Sequence, residues 1–184
     1  MLGSRVGVMA YHGGDLEVGT DHVADAVAER TGASLYAVRQ PEGMQHHLPS
    51  TSFRPSHSER LAAFVDHVDV VHTLHGYGRG GMFRTLLLGG RNRDLAGLVA
   101  RSLRSHLPGY EVIDDLDDIP AELRGLHRHN PVNLPRRQGV QIELPPRVRG
   151  NGPFWSQWDG GFPTPHTERL VDGLAHAVTA ISTR

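Results

Sequence analysis

Three short segments of this chain end in residues able to bind and use a divalent metal ion. "HGGDLE" (12–17) sets His12 and Glu17 on either side of a glycine turn, "VVHTLHG" (70–76) closes on His75, and "GVQIEL" (139–144) carries Glu143. Two imidazoles and a carboxylate form the three-ligand set of many hydrolytic zinc sites, which leave a fourth position for water. Zinc lowers that water's pKa to about 7, and a second carboxylate close by can take its proton. The Gly13–Gly14 pair suits such a site, because glycine bends the backbone sharply and keeps bulk away from an ion. Each residue taken singly has a plainer reading. A strand-end histidine is often a hydrogen-bonded loop residue, and Glu17 could serve the dipole of a following helix. Glu143, between Ile142 and Leu144, could face solvent on an edge strand, and spacing alone does not choose His75 over His72.

The elements that must position these groups follow from hydrophobic periodicity. "RVGVMA" (5–10), "ASLYAVR" (33–39), "VDVVHTLHG" (68–76), "FRTLLLGG" (83–90), "YEVIDDL" and "GVQIEL" read as strands. Thr20 or Asp21 can cap a helix running to about Arg30, and Ser56 or Ser58 can start another carrying Leu61, Ala62, Phe64 and Val65. "RDLAGLVARSLRSHL" (93–107) and "TERLVDGLAHAVTAI" have the spacing of helices packed on a sheet. Residues 40–55 are loop-like, with a brief strand expected in "HHLPSTSF". Strands alternating with amphipathic helices predict one α/β domain over residues 1–184 with a mainly parallel sheet. In such sheets ligands sit beyond the carboxyl ends of the strands, where all three segments above terminate.

Composition narrows the chemistry. The 184 residues hold no cysteine, so thiolate metal sites, disulfides and cysteine nucleophiles are excluded, and any metal must be held by imidazole and carboxylate. All 19 cationic side chains are arginine, which removes lysine from every catalytic role. A net charge of −1 and the lack of a binding motif argue against a nucleic-acid partner. No apolar run approaches the roughly 20 residues of a membrane span, so no membrane partner is expected. The N-terminal apolar stretch is too short for an export signal, which makes a cytoplasmic location the expectation. Oligomeric state is not legible.

In order and close spacing, "HGGDLEVGT", "VVHTLHG", "LLLGGRNRDL", "NPVN" and "GVQIEL" resemble the poly-γ-glutamate hydrolase family, over about residues 6 to 149. These are small zinc enzymes of phages and bacteria, related in fold to zinc carboxypeptidases. The resemblance implies a three-layer α/β/α sandwich with a mainly parallel mixed sheet. It implies a Zn²⁺ cofactor held by His12, Glu17 and His75, since only His75 precedes a glycine, and Glu143 as catalytic base. The implied substrate is a γ-glutamyl polymer or peptide cleaved at its amide bond, with release by lysis if the protein is phage-derived. The alternatives are a related zinc amidase or carboxypeptidase-like enzyme acting on cell-wall or other peptides, and a non-catalytic binding protein keeping the fold.

Around such a centre, arginine can grip a substrate carboxylate with two parallel hydrogen bonds or polarise the scissile carbonyl. Arg84 and Arg91, flanking "LLLGG", are the leading candidates for catalysis, with Arg79 of "GYGRGG" as a substrate ligand. Asn130 and Asn133 could fix substrate or hold a turn, with Asn133 assigned to substrate binding. Arg136 and Arg137 read as a solvated pair, and His46, His47, His127 and His129 as exposed loop residues. Trp155 and Trp158 in "GNGPFWSQWDGGFP" (150–163) could wall the site or pack the final helix.

Overall fold

The structure, a computed structural model, describes residues 1–182. Six strands form one sheet: β1 (Val6–Gly14), β2 (Ser34–Gln40), β3 (Val70–Gly76), β4 (Thr85–Gly89), β5 (Glu111–Ile113) and β6 (Gly139–Leu144). Their order is β2-β1-β3-β6-β4-β5, and every pairing is parallel except the antiparallel contact of β4 with β6. Four helices cover it: α1 (Thr20–Thr31), α2 (Glu59–His67), α3 (Arg93–His106) and α4 (Pro165–Ser182).

Strand parity decides what each layer buries. Val6, Val8 and Ala10 of β1 and Val140, Ile142 and Leu144 of β6 face the larger core, packed by residues of α1, α3 and α4. Met9 and Tyr11 face the other side, where Leu61 and Phe64 of α2 cover them. Beyond α2 that face is closed by connecting segments through Ile119 and Tyr77 against Leu87. The sandwich is thus three layers, as expected for strands apolar on both faces.

Several local expectations shift. Ser58 caps α2, its hydroxyl accepting from Leu61 N at 3.2 Å. Helix α1 has no side-chain cap, and Gly19 in a left-handed conformation starts it. Asp21, freed from capping, instead accepts from Gly14 N (3.2 Å) and from Arg39 Nε (3.0 Å), tying the end of β1 to β2. "HHLPSTSF" forms no strand; a 3-10 turn at Ser50–Ser52 lies there between extended residues. Among the described residues no helix is long and apolar enough to cross a membrane.

His72 and His75 lie three residues apart and so project to opposite faces of β3. His72 enters the larger core, 1% exposed, and neither ring nitrogen makes a hydrogen bond of good geometry. Burial pushes its pKa down to about 4, opposed only by the Gly7 backbone. The unfolded chain therefore takes up this proton more readily than the folded one. The stability from the neutral ring is complete above about pH 6.5 and is lost as pH falls toward 4, about 3 kcal/mol in all. Urea unfolding of wild type and His72→Leu from pH 7 to 4 should show their stability difference changing by that amount; a constant difference would contradict it.

A candidate metal centre at the carboxyl ends of β1, β3 and β6

His12 and Glu17 meet because the turn between them closes on itself. Glu17 N donates to His12 O (3.0 Å), and Thr20, entering α1, donates through its backbone N (3.1 Å) and Oγ1 (2.8 Å) to Glu17 O. Gly14 sits at φ 72°, and a Cβ there would lie 2.1 Å from Gln40 O, so the turn admits no side chain at that position. The β1–β2 register shifts between Ala10 and Gly13. In a regular strand Tyr11 and His12 would face opposite sides; the irregularity lets both rings approach His75, at 4.8 and 5.1 Å between centroids.

The ligand atoms of His12, Glu17 and His75 lie within 4.8 Å of one another. His12 Nδ1 is 3.0 Å from Glu17 Oε1, and His75 Nδ1 is 3.5 Å from Glu17 Oε2. The opposite nitrogens are committed elsewhere. His12 Nε2 meets the Leu48 carbonyl (2.8 Å), which can only accept, so Nε2 carries a proton. The Tyr11 hydroxyl gives its single proton to Asn130 Oδ1 (3.0 Å) and therefore accepts from His75 Nε2 (3.0 Å). In neutral rings both Nδ1 lone pairs then point at a carboxylate, an arrangement that calls for a cation in their midst. The donor set of two nitrogens and one oxygen suits zinc.

The β3–β6 register sets Glu143 directly beside His75. Strand β6 is central, and Glu143 is 4% exposed, so the edge-strand reading does not hold. Its Oε1 accepts from Gln141 Nε2 (2.8 Å), and Gln141 Oε1 accepts from Asn130 Nδ2 (2.8 Å). Backbone groups fix both amides: Asn130 Oδ1 accepts from Val132 N (3.3 Å), and Gln141 Nε2 reaches Leu123 O (3.3 Å). A one-way chain of donors thus runs His75, Tyr11, Asn130, Gln141, Glu143.

The two acids are driven apart. Burial pushes Glu17 up, but the charges and hydrogen bonds of His75 and His12 outweigh it and hold its carboxyl at about 2. Burial pushes Glu143 up as well, aided by the charge of Glu17, and here His75 and Gln141 offset it only in part. His75 is itself raised: Glu17 outweighs the burial that would lower it.

A cavity of about 890 Å³ opens over this cluster, with Arg91, Arg124 and Arg128 in its wall. Of the arginines expected at the site, Arg91 reaches the cavity, its Nε bonded to Leu126 O (2.9 Å). Arg79 stays outside, paired with Glu122 of the rim. Arg84 lines a separate depression. Asn133 braces the wall from behind, donating to Gly125 O (2.7 Å) and His127 O (3.1 Å) and accepting from Arg91 N (3.1 Å). His47 and His127, expected as plain loop residues, line the cavity, and the His47 ring sits 4.9 Å from that of His12. Trp155 and Trp158 do not line it; Trp155 packs on His166 at the start of α4. Tyr11, Gln141, Arg124 and Arg149 carry no signal in the local sequence. Arg149 is buried, and its guanidinium spans Leu144 O (3.1 Å) and Val18 O (2.6 Å).

The same architecture recurs in solved structures. A bacteriophage poly-gamma-glutamate hydrolase superposes with a TM-score of 0.80 at 24% identity, covering 98% of this chain and 86% of that one. A structure described as "YNDL-apo (Zinc-free)" gives 0.72 at 22% identity, over 95% and 84%. The N-acetylmuramoyl-L-alanine amidase from Clostridium difficile 630 gives 0.56 at 10% identity, over 97% and 96%. Comparison with curated proteins finds no match. The fold is thus one shared by amidases and a polyglutamate hydrolase. The poly-gamma-glutamate hydrolase family matches residues 1–155, and the chain belongs to that family.

Tyr11→Phe removes one oxygen, leaves His75 Nε2 without its acceptor and leaves Asn130 Oδ1 with Val132 N alone. Zinc affinity, measured by competition with a chelator, should fall about 10- to 100-fold. Unchanged affinity would mean that the phenol does not orient His75.

Proposed function

We propose that the protein is a zinc-dependent hydrolase of γ-glutamyl amide bonds in poly-γ-glutamate. The observation that carries this reading is the convergence of His12, Glu17 and His75 within 4.8 Å, with Glu143 in register beside His75. The "Zinc-free" description of one structural relative adds support for the identity of the ion. Zinc bound by His12, Glu17 and His75 would supply Lewis acidity toward the scissile carbonyl and acidify a water.

The remaining roles fall to side chains of the cavity. Gln141 occupies Oε1 of Glu143 and leaves Oε2 open, so one defined oxygen takes the proton of the attacking water and returns it to the departing amine. The raised pKa of Glu143 suits a group that must both accept and give up a proton. Arg91, Arg124 and Arg128 set a cationic wall in a chain of net charge −1, which fits a substrate bearing a free carboxylate on every residue.

The amidase-like fold keeps a second substrate class in view, the peptides of cell walls. Purified protein incubated with poly-γ-glutamate and with peptidoglycan fragments should shorten the former. Shortening of peptidoglycan alone would move the reading to an amidase. Glu143→Gln should lower kcat about 10²- to 10⁴-fold while about one zinc per chain is retained by elemental analysis. Undiminished turnover would remove Glu143 from its role, and a zinc-loaded wild type inert on both polymers would point to a binding protein.

A further inference from the structure

A second cationic depression lies at the same end of the sheet as the metal centre. Leu87 of β4 pairs with Glu143, so Thr85 and Arg84 stand past the carboxyl end of β6, where Arg147 also emerges. A cavity of about 640 Å³ joins Arg84, Tyr110 and Arg147, and a smaller one of about 110 Å³ shares all three and adds His166 and Arg169. Tyr77, which lines the central cavity, donates to the carbonyl of Thr85 (2.6 Å), which lines the second, so the two walls touch there.

The charges here are not balanced. Arg84, Arg147 and Arg169 form no ion pair among the described residues. Arg147 lies flat on Phe154, 3.5 Å from the ring centroid, with its Nε buried and lacking a partner. Tyr110 Oη and His166 Nδ1 are joined at 2.6 Å between these guanidiniums. Burial lowers the His166 pKa, and Arg147 and Arg169 lower it further, so both cations act on that ring. Burial raises Tyr110 to about 12 against the pull of Arg147 and Arg84. The sole carboxylate in the lining, Glu111, accepts from Thr85 Oγ1 (2.9 Å) rather than from an arginine. Glu168 and Asp172, on the same helix as Arg169, are taken by Arg30. Like charges gathered without a counter-charge are relieved by an anion, and guanidinium forks match carboxylates.

We propose that Arg84, Arg147 and Arg169 form an accessory subsite that binds carboxylates of a polyanionic chain away from the bond being cleaved. The site rests on the polyglutamate reading for its ligand but supplies binding, not chemistry. Its effect therefore appears in KM for long chains and not in kcat.

The test uses the full chain with Arg84→Gln and Arg169→Gln combined, two exposed positions whose loss should leave the melting temperature unchanged. KM for poly-γ-glutamate should rise at least about 10-fold, the loss of two charge-assisted contacts. Its kcat, and turnover of a γ-glutamyl dipeptide, should stay within about twofold of wild type. Binding is read separately on the Glu143→Gln protein by tryptophan fluorescence, since Trp155 lies 4.9 Å from His166. Polymer should bind more weakly once the arginines are replaced, and added salt should weaken wild type more than the variant. Polymer shortened with the same KM by both proteins would overturn the subsite and leave the hydrolase reading standing. Polymer bound through these arginines but never shortened would do the reverse.

Discussion

A carboxylate held between two imidazoles whose outer nitrogens are already spoken for is the constraint on which the rest depends. Glu17 reaches His12 and His75 at once, and its second oxygen also accepts from Gly76 N (2.8 Å). Such a group could not stay charged in a dry interior unless positive charge met it from several sides. The turn at 12–17, the register irregularity in β1 and the parallel pairing of β3 with β6 are the local solutions that bring those partners within reach. Moving β3 or β6 by one residue would turn His75 or Glu143 toward the larger core.

The buried polar residues around the centre work as one unit. Each donor from His75 to Gln141 has its acceptor in the next residue of the chain, and each amide is also held by a backbone group. The consequence is a division of labour between two glutamates a few ångströms from the same histidine. Glu17, held low by His75 and His12 and accepting from Gly76 N, stays ionised and suits a ligand; Glu143, more deeply desolvated and beside a like charge, suits proton transfer. Environment, not residue type, separates them.

His12, Glu17 and Glu143 were legible as candidates because they sit in compact motifs at strand ends, where α/β sheets expose chemistry, whereas His75 was separated from His72 only by the family resemblance. The α/β layering was legible because short apolar strands alternate with helices of period 3.6, while the three layers were what the family resemblance implied. What stayed hidden depends on breaks in period or on contacts distant in sequence. Tyr11 falls just past the strand expected over residues 5–10, and the irregularity after Ala10 gives its hydroxyl a polar role. Asn130 and Gln141 touch across 11 residues through a loop whose path no local pattern specifies. Arg84 and Arg91 flank one strand and looked equivalent, yet they stand at its opposite ends. Only Arg91 bends into the central cavity.

Arg149 shows why some of the arginines are more than a compositional habit. Gly76, the glycine that follows His75, has no side chain because a Cβ there would meet the Arg149 guanidinium at 2.7 Å. That buried cation spans carbonyls from β6 and from the residue following Glu17, and the charges of Glu17 and Glu143 oppose the downward pull of burial on its pKa. A lysine ammonium could balance the charge, but as a single point on a flexible stem it would not hold two carbonyls in fixed directions. The planar fork does both. The glycine of the "HG" pair and the arginine after the "GVQIEL" strand therefore form one structural device, locking the turn that presents Glu17 to the strand that presents Glu143.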